Sequence, residues 1–428
     1  MATVQLINDN GAWCWFQDER ALIDPVTNTL LVGSIPAPEG PGGEARAGNV
    51  EIAVVDLATG DSEVVVLHER LETDDHNTAA LFIRPDGRYL AMYTKHKTDN
   101  LTRWRISSAP HDATAWEPEQ SFDWAELTDG RGVTYSNLHH LADEGRLYNF
   151  ARAINDDPSI LVSTDDGTTF DFGGKLFTRP KIGYVNGYTR YVSNGTDRID
   201  LITTDHHPRD YNNSIYHGYI SGGALHSSDG TVVGGPVLDE QAPSQVELTT
   251  ILAAGSEFAG ATITHAWTTD IRRAPDGRLA AILTGRAGDD PENSNFSDHR
   301  FFYGTFDGGT WQVHHLAKAG GALLPHEEDY TGLVAIDPYD LDSVYASTPI
   351  DPRDDSALDH HEIFHGRTTD GGASWDWTPV TENSDVDNLR PIVVPGDPAT
   401  RAVLWFRGSM TASQHYRCEV VGLIEKRP

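Results

Sequence analysis

Cysteine is nearly absent from this chain: two in 428 residues, Cys14 and Cys418, one near each end. That number excludes a disulfide scaffold and a four-cysteine zinc site. No run of 18 apolar residues occurs, so no helix can span a membrane. The start, "MATVQLINDNGAWCWF", lacks the basic stretch and apolar core of a secretory leader. Positive charge is scarce as well. Lys and Arg number 32 against 64 Asp and Glu, a net charge of −32, and no basic patch gathers that would suit nucleic acid or an anionic membrane surface. The acids come in short pairs such as Asp74-Asp75, Asp156-Asp157 and Glu327-Glu328, which read as a solvated surface rather than a tail. No glycine-rich phosphate loop opens a helix, so no nucleotide or redox cofactor is expected.

Helical periodicity is missing too. In its place stand short alternating or apolar runs bounded by Gly, Asp, Asn and Pro: residues 49–68, 87–96, 146–154, 278–286 and 401–408. Such runs, with 40 Gly and 23 Pro around them, predict an all-β sandwich, barrel or propeller. Internal similarity narrows the choice. "STDDGTTF" (163–170) and "TTDGGASW" (368–375) share the pattern Ser/Thr-x-Asp-x-Gly-x-Ser/Thr-aromatic, an Asp-box. It suits a hairpin turn: the Asp side chain bonds turn amides, the Gly takes a positive φ, and the aromatic packs beneath. A shorter relative is "TFDGGTW" (305–311), and simpler Asp/Glu-Gly turns lie in "RPDGRYL", "ADEGRLY" and "APDGRLA". Hairpin units of roughly 50 to 60 residues predict a seven-bladed β-propeller over residues 1–428 as a single domain, within the usual four to eight blades. A pair of sandwiches is the structural alternative. If the N-terminal strand completes the last blade, Cys14 and Cys418 come near one another, more simply as two core thiols than as a bridge.

One hairpin stands out. In "DDHNTAALFIRPDGRYLAMYTKH" (74–96), His76 and His96 are each ten residues from Asp86 in a Pro-Asp-Gly-Arg turn. Residues equidistant from a hairpin turn face one another across the strands, with Cβ atoms about 5 Å apart. A slip of one residue would send the two rings to opposite faces.

With these features the chain resembles the BNR-4 group of Asp-box propellers, which includes ulvan lyases, L-rhamnose-α-1,4-D-glucuronate lyases and related α-L-rhamnosidases. The matching blocks run nearly end to end: "WCWFQDERA", "DDHN", "YTKH", "TYSN", "LYNFAR", "YTRYVSNGTDRI", "TTDHHP", "NSIYHGY", "DHRFFYGTFDG" and "DNLRP". The resemblance implies a lyase acting on an anionic, rhamnose- and uronate-rich polysaccharide such as ulvan or a gum side chain. It also implies a secreted or periplasmic setting. Residue by residue it gives His96 or His76 as base, Tyr135 as acid or second base, and Arg152 as carboxylate clamp. Arg190, flanked by Tyr188 and Tyr191, is implied to form a second anionic subsite. The chemistry agrees with these residue types. A neutral His takes a proton near working pH, Arg binds a carboxylate with two parallel hydrogen bonds, and Tyr delivers a proton to the departing oxygen. For each, the ordinary structural role is the competing reading: a hydrogen-bonded strand His, a packed Tyr, an ion-paired Arg.

His206 and His207, with His226, offer imidazoles for a structural zinc or calcium of the kind lyases of this group carry, although adjacent residues in a strand point to opposite faces. No metal is needed for the reaction itself. A sialidase reading fails, because "FIRP" (82–85) puts Arg84 at a hairpin turn. A rhamnosidase that adds water to the same linkage, or a non-catalytic carbohydrate-binding propeller, are the rival readings. A closed propeller needs no partner to hide its edges, so a monomer is expected. Trp13, Trp15, Trp104 and Trp267 suit either a sugar platform or a blade core.

Overall fold

The computed structural model describes residues 3–183, 186–238, 242–258, 260–288, 298–325 and 327–427. Within them the strands form seven successive sheets of four to six strands. Blade 1 runs from Ala21–Asp24 to Ser62–His68, and blade 2 from Ala80–Ile83 to Gln120–Asp123. Blade 3 runs from Leu138–Leu141 to Asp171–Lys175, and blade 4 from Thr189–Ser193 to Thr249–Leu252. Blade 5 covers Ser256–Phe258 to Trp311–Gly320 and blade 6 Val334–Asp337 to Asp376–Pro379. Blade 7 joins Asp387–Val393, Thr400–Ala412 and His415–Lys426 to the N-terminal strand Gln5–Asn8, which pairs antiparallel with the last strand, Gln5 opposite Gly422. This is a seven-bladed β-propeller, nearly all β. The α-helices are single turns, Gly43–Arg46 and Ala125–Thr128.

The chain groups into two compact units. One contains 1–154, 158–174 and 393–428; the other contains 155–157 and 175–392. In each, strand residues feed cores on both faces. Along Tyr89–Thr94, Tyr89, Ala91 and Tyr93 enter a cluster with Leu31, Ile52 and Leu71, while Leu90 and Met92 enter another with Trp104, Leu147 and Leu161. In the second unit, Ala280 and Ile282 of Leu279–Ala287 pack with Val334 and Ile336, and Leu279, Ala281 and Leu283 pack with Ile215 and Ile263. A strand covered on both faces reads as a continuous apolar run, which is why "YLAMYT" and "LAAIL" show little alternation.

Both Asp-boxes form the same closed network. Ser163 Oγ donates to Asp165 at 2.7 Å and accepts from the Gly167 amide at 2.7 Å, while Asp165 accepts from the Thr169 amide and hydroxyl. Thr368, Asp370, Gly372 and Ser374 repeat these bonds at 2.6 to 2.9 Å. Gly167 sits at φ 84°, and a Cβ there would press on Leu90 and Leu147 at 2.7 and 3.1 Å, so any other residue is strained. The aromatic of each box packs edge-on beneath its loop, Phe170 on Trp104 and Trp375 on Tyr303. Cys14 and Cys418 are buried and form no disulfide. All four tryptophans singled out from the sequence are core, at most 4% exposed.

Candidate active site

The hairpin of blade 2 keeps the register its turn dictates. Ala80 pairs with Met92 and Ile83 with Tyr89, around a turn closed by Gly87 N–H to Arg84 O at 2.9 Å. Carried outward, that register sets His76 opposite His96. His76 lies in a single 3₁₀ turn, Asp75–Asn77, and the two rings stack with centroids 3.7 Å apart and planes 10° apart. Stacking two imidazoles is costly if both are charged. What reconciles them is Asp74, whose Oδ1 meets His76 Nδ1 at 2.7 Å and whose Oδ2 meets His96 Nδ1 at 2.9 Å. Asp75 also reaches His76 Nδ1 at 2.7 Å. Gln414 donates to Asp74, and Gln17 donates to the His76 carbonyl.

The other side of the site comes from blade 3. Thr134 and Arg152 exchange backbone hydrogen bonds of 3.1 and 2.8 Å, so Tyr135 emerges beside Arg152. Tyr135 stands in the left-handed region at φ 67°, where a bulky residue is rare, and its ring stacks over His76 at 5.6 Å. The Arg152 guanidinium carbon is 5.9 Å from that ring, and the Cys14 thiol approaches the phenol oxygen at 3.9 Å. Asn137 braces this edge: its amide N–H donates to Asn149, and its Oδ1 accepts from Arg20 and from the Asp18 amide.

Burial and neighbouring charge divide the protonation states. For His76, burial favours the neutral ring, but Cys14, Asp74, Tyr135 and Asp75 outweigh it and hold its pKa well above the ordinary value. His96 moves the opposite way. Burial and the charge on His76 push its pKa down against the pull of Asp74. Burial and Cys14 raise the Tyr135 phenol, opposed by His76 and Arg152, so it keeps its proton. Asp74 stays ionised: burial would raise its pKa, yet the two histidines bring it far below the carboxylate range. His96 is therefore neutral with its proton on Nδ1, facing Asp74, and its Nε2 lone pair is uncommitted. His96 also keeps 30% of its side chain exposed, against 4% for His76.

The structure thus brings His76, His96, Tyr135 and Arg152 together in the first unit. Arg190, Tyr188 and Tyr191 belong to the second and are buried there, at 1%, 5% and 3% exposure. Arg190 lies 3.9 Å from Asp270, and the Tyr188 hydroxyl is 2.9 Å from His207 Nε2 and 3.3 Å from Asp329.

The three histidines expected to hold a metal do not assemble. His226 spends both ring nitrogens on the carbonyls of Gly230 and Ser221 at 3.2 Å and stacks on Tyr219. His207 is turned to Tyr188, and His206 packs edge-on against Tyr211. These residues do not fit a structural zinc or calcium. Among the described residues, the groups with ligand atoms close enough to share an ion are Cys14-Asp75-His76 and Asp74-His76-His96.

A second expectation also fails. The pairs Asp74-Asp75 and Asp156-Asp157 are not solvated: all four are at most 2% exposed, the first pair set against the imidazoles and the second against Lys181, Lys175 and Arg179. Two adjacent acids look alike in sequence whether they meet water or a buried cation. Sequence reasoning read Cys14 only as a core thiol and gave no role to Gln17, although both lie in the block "WCWFQDERA". Gln414 carried no signal at all.

A model of the BNR repeat-containing family matches residues 45–319. None of the curated proteins matches the chain by sequence. Among solved structures, a PL25 ulvan lyase bound to -[GlcA(1-4)Rha3S]- aligns with a TM-score of 0.67 at 12% identity, covering 99% of this chain and 97% of that one. A second PL25 ulvan lyase structure aligns with the same TM-score and coverage at 13% identity. An α-L-arabinanase from Penicillium chrysogenum, complexed with arabinobiose, gives a TM-score of 0.44 at 11% identity over 80% of this chain and 91% of its own. At such identities a shared architecture is what the ulvan lyase likeness conveys. With well over half its length matched by the family model, the chain belongs to the BNR repeat-containing family.

Proposed function

We propose that this protein is a polysaccharide lyase that cleaves a uronate-containing, rhamnose-rich anionic polysaccharide by β-elimination. The observation that carries the reading is the stacked pair His76–His96 on one shared carboxylate, with a neutral phenol and a guanidinium beside it. A hydrolase needs an activated water; an eliminase needs a neutral base, a carboxylate clamp and a proton donor, and this site offers those three.

In the reaction, Arg152 binds the uronate carboxylate and opposes the charge that builds on it as the enolate forms. His96 Nε2 takes the C5 proton. The C5–H electron pair becomes the C4–C5 double bond as the C4–O4 bond breaks, and the Tyr135 hydroxyl gives its proton to O4. The products are a 4,5-unsaturated uronate and a new sugar hydroxyl; Tyr135 is reprotonated from solvent as His96 releases its proton. His76, charged and buried, keeps His96 neutral. The ulvan lyase with the same architecture holds a glucuronyl-1,4-rhamnose 3-sulfate repeat, which supports this class of substrate here.

The test is incubation with ulvan and with rhamnosyl-glucuronate glycans, following ultraviolet absorbance of the conjugated uronate. Absorbance growing in step with new chain ends supports the lyase. New reducing ends without it would establish a hydrolase, and neither signal would leave a carbohydrate-binding propeller.

A further inference from the structure

We infer that Cys14, Asp75 and His76 form a binding site for a thiophilic divalent cation, with zinc as the type, and that filling it switches off the active site. The second half rests on the lyase reading above; the first does not. One ligand atom from each of the three lies within 4.8 Å of the others. All three are deeply buried, at 0%, 0% and 4% exposure. Thiolate, carboxylate and imidazole together suit zinc, whereas calcium or magnesium calls for oxygen donors throughout.

The charge balance favours a cation. Two buried carboxylates, Asp74 and Asp75, converge at 2.7 Å on one nitrogen of one imidazole. A dication there offsets the second carboxylate in place of the ring proton. Metal–ligand lengths of about 2.0–2.3 Å set tetrahedral donors roughly 3.5 Å apart, inside the 4.8 Å span of the three atoms. The Tyr135 hydroxyl, 3.9 Å from Cys14 Sγ, borders the fourth position.

On binding, Cys14 loses its thiol proton and His76 its imidazolium proton to water, and both coordinate as bases. The site then loses its catalytic poise. Drawing Cys14 and His76 onto the ion shifts the ring stacked 3.7 Å from His96 and the thiol that meets the Tyr135 hydroxyl at 3.9 Å, so base and acid lose their alignment.

The experiment is titration of cobalt(II) into metal-free protein without substrate, in a reducing, chelator-free buffer. One equivalent should develop a thiolate-to-cobalt charge-transfer band and a tetrahedral visible spectrum, both removed by zinc. Cys14→Ser and Cys14→Ala should abolish the band and weaken zinc binding by more than the ~10–100-fold that an outer-shell partner is worth; Cys418→Ser should keep both. Should the Cys14 variants fail to fold by circular dichroism, Asp75→Asn against Cys418→Ser decides. A spectrum without the charge-transfer band, which includes binding at Asp74, His76 and His96 instead, overturns the site, as does a band lost in Cys418→Ser. Zinc should then suppress turnover in the wild type, with chelator restoring it. A chain that binds cobalt through Cys14 but never eliminates ulvan keeps the metal site and loses the lyase.

Discussion

His96 owes its proposed role to its neighbours. An isolated histidine is about half charged near pH 6.5. Here a buried, protonated His76 lies flat against it and Asp74 holds its Nδ1 proton, so the outward nitrogen is the one free to act. His96→Ala and Tyr135→Phe should each reduce turnover by about 10²–10⁴ with circular dichroism unchanged. Asp74→Asn gives a different signature. With the carboxylate charge gone, His96 becomes a weaker base, so the acid limb of the kcat/KM profile should move to lower pH while the plateau drops; an unmoved limb would remove Asp74 from the mechanism. These residues were legible to unequal degrees. The paired histidines were readable because a two-strand register is set locally, by Gly87 and its turn. Asp74 and Gln414 were not, since they are 340 positions apart and meet only through the closure of blade 7. His206, His207 and His226 misled because closeness along a chain says little about where side chains face.

At the scale of elements, the turns explain why the fold could be read from sequence. The Asp-box is self-contained: its bonds lie within seven residues, so its pattern recurs while the strands around it differ. Asp370→Ala removes three hydrogen bonds at once and should cost about 1–2 kcal/mol, measured by urea unfolding, with activity intact. A second device was invisible in the sequence, because its members are spread over more than a hundred residues. Trp311 Nε1 donates to Ser228 Oγ at 3.1 Å, Ser228 meets His217 Nδ1 at 2.7 Å, and His217 Nε2 meets Asp200 at 3.3 Å, where Arg273 and Arg198 also bind. The chain ties blade 4 to the last strand of blade 5. Burial keeps His217 neutral in the fold, so the unfolded chain binds one more proton below about pH 6.5, and stability falls as pH drops through that range. Burial works against the Asp200 carboxylate, but His217 and Arg273 hold its pKa so low that its contribution is lost only below about pH 4. His217→Gln should flatten the loss between pH 6.5 and 5 in thermal melts while lowering stability at pH 7.5.

For the whole molecule, the buried acid Asp329 runs counter to Asp74 and Asp200. Burial, aided by Glu327, raises Asp329 to about 7, so the folded state holds its proton where the unfolded chain has released it. Stability therefore falls as pH rises from about 4 towards 7. Asp329→Asn, which mimics the protonated form, should raise the melting temperature at pH 8 and change it little at pH 5.

Net charge sets a second global property. A protein at −32 would meet the proposed polyanion against long-range repulsion, with His76 and Arg152 offering positive charge at the candidate site. Raising ionic strength from about 0.01 to 0.15 M shortens the screening length from about 30 to 8 Å. KM for the polymer should therefore fall with added salt while kcat holds. A rise in KM would mean that pocket attraction dominates.

The seventh blade adds a constraint of timing. Its outer strand, Gln5–Asn8, is synthesised before the other blades, and the strand that clasps it, His415–Lys426, only after them. While translation proceeds, that leading segment waits with its amides unmatched. Gln414, one residue before the clasp, reaches Asp74 only when the clasp forms, so a ribosome-stalled chain lacking it should already hold folded blades yet be catalytically silent.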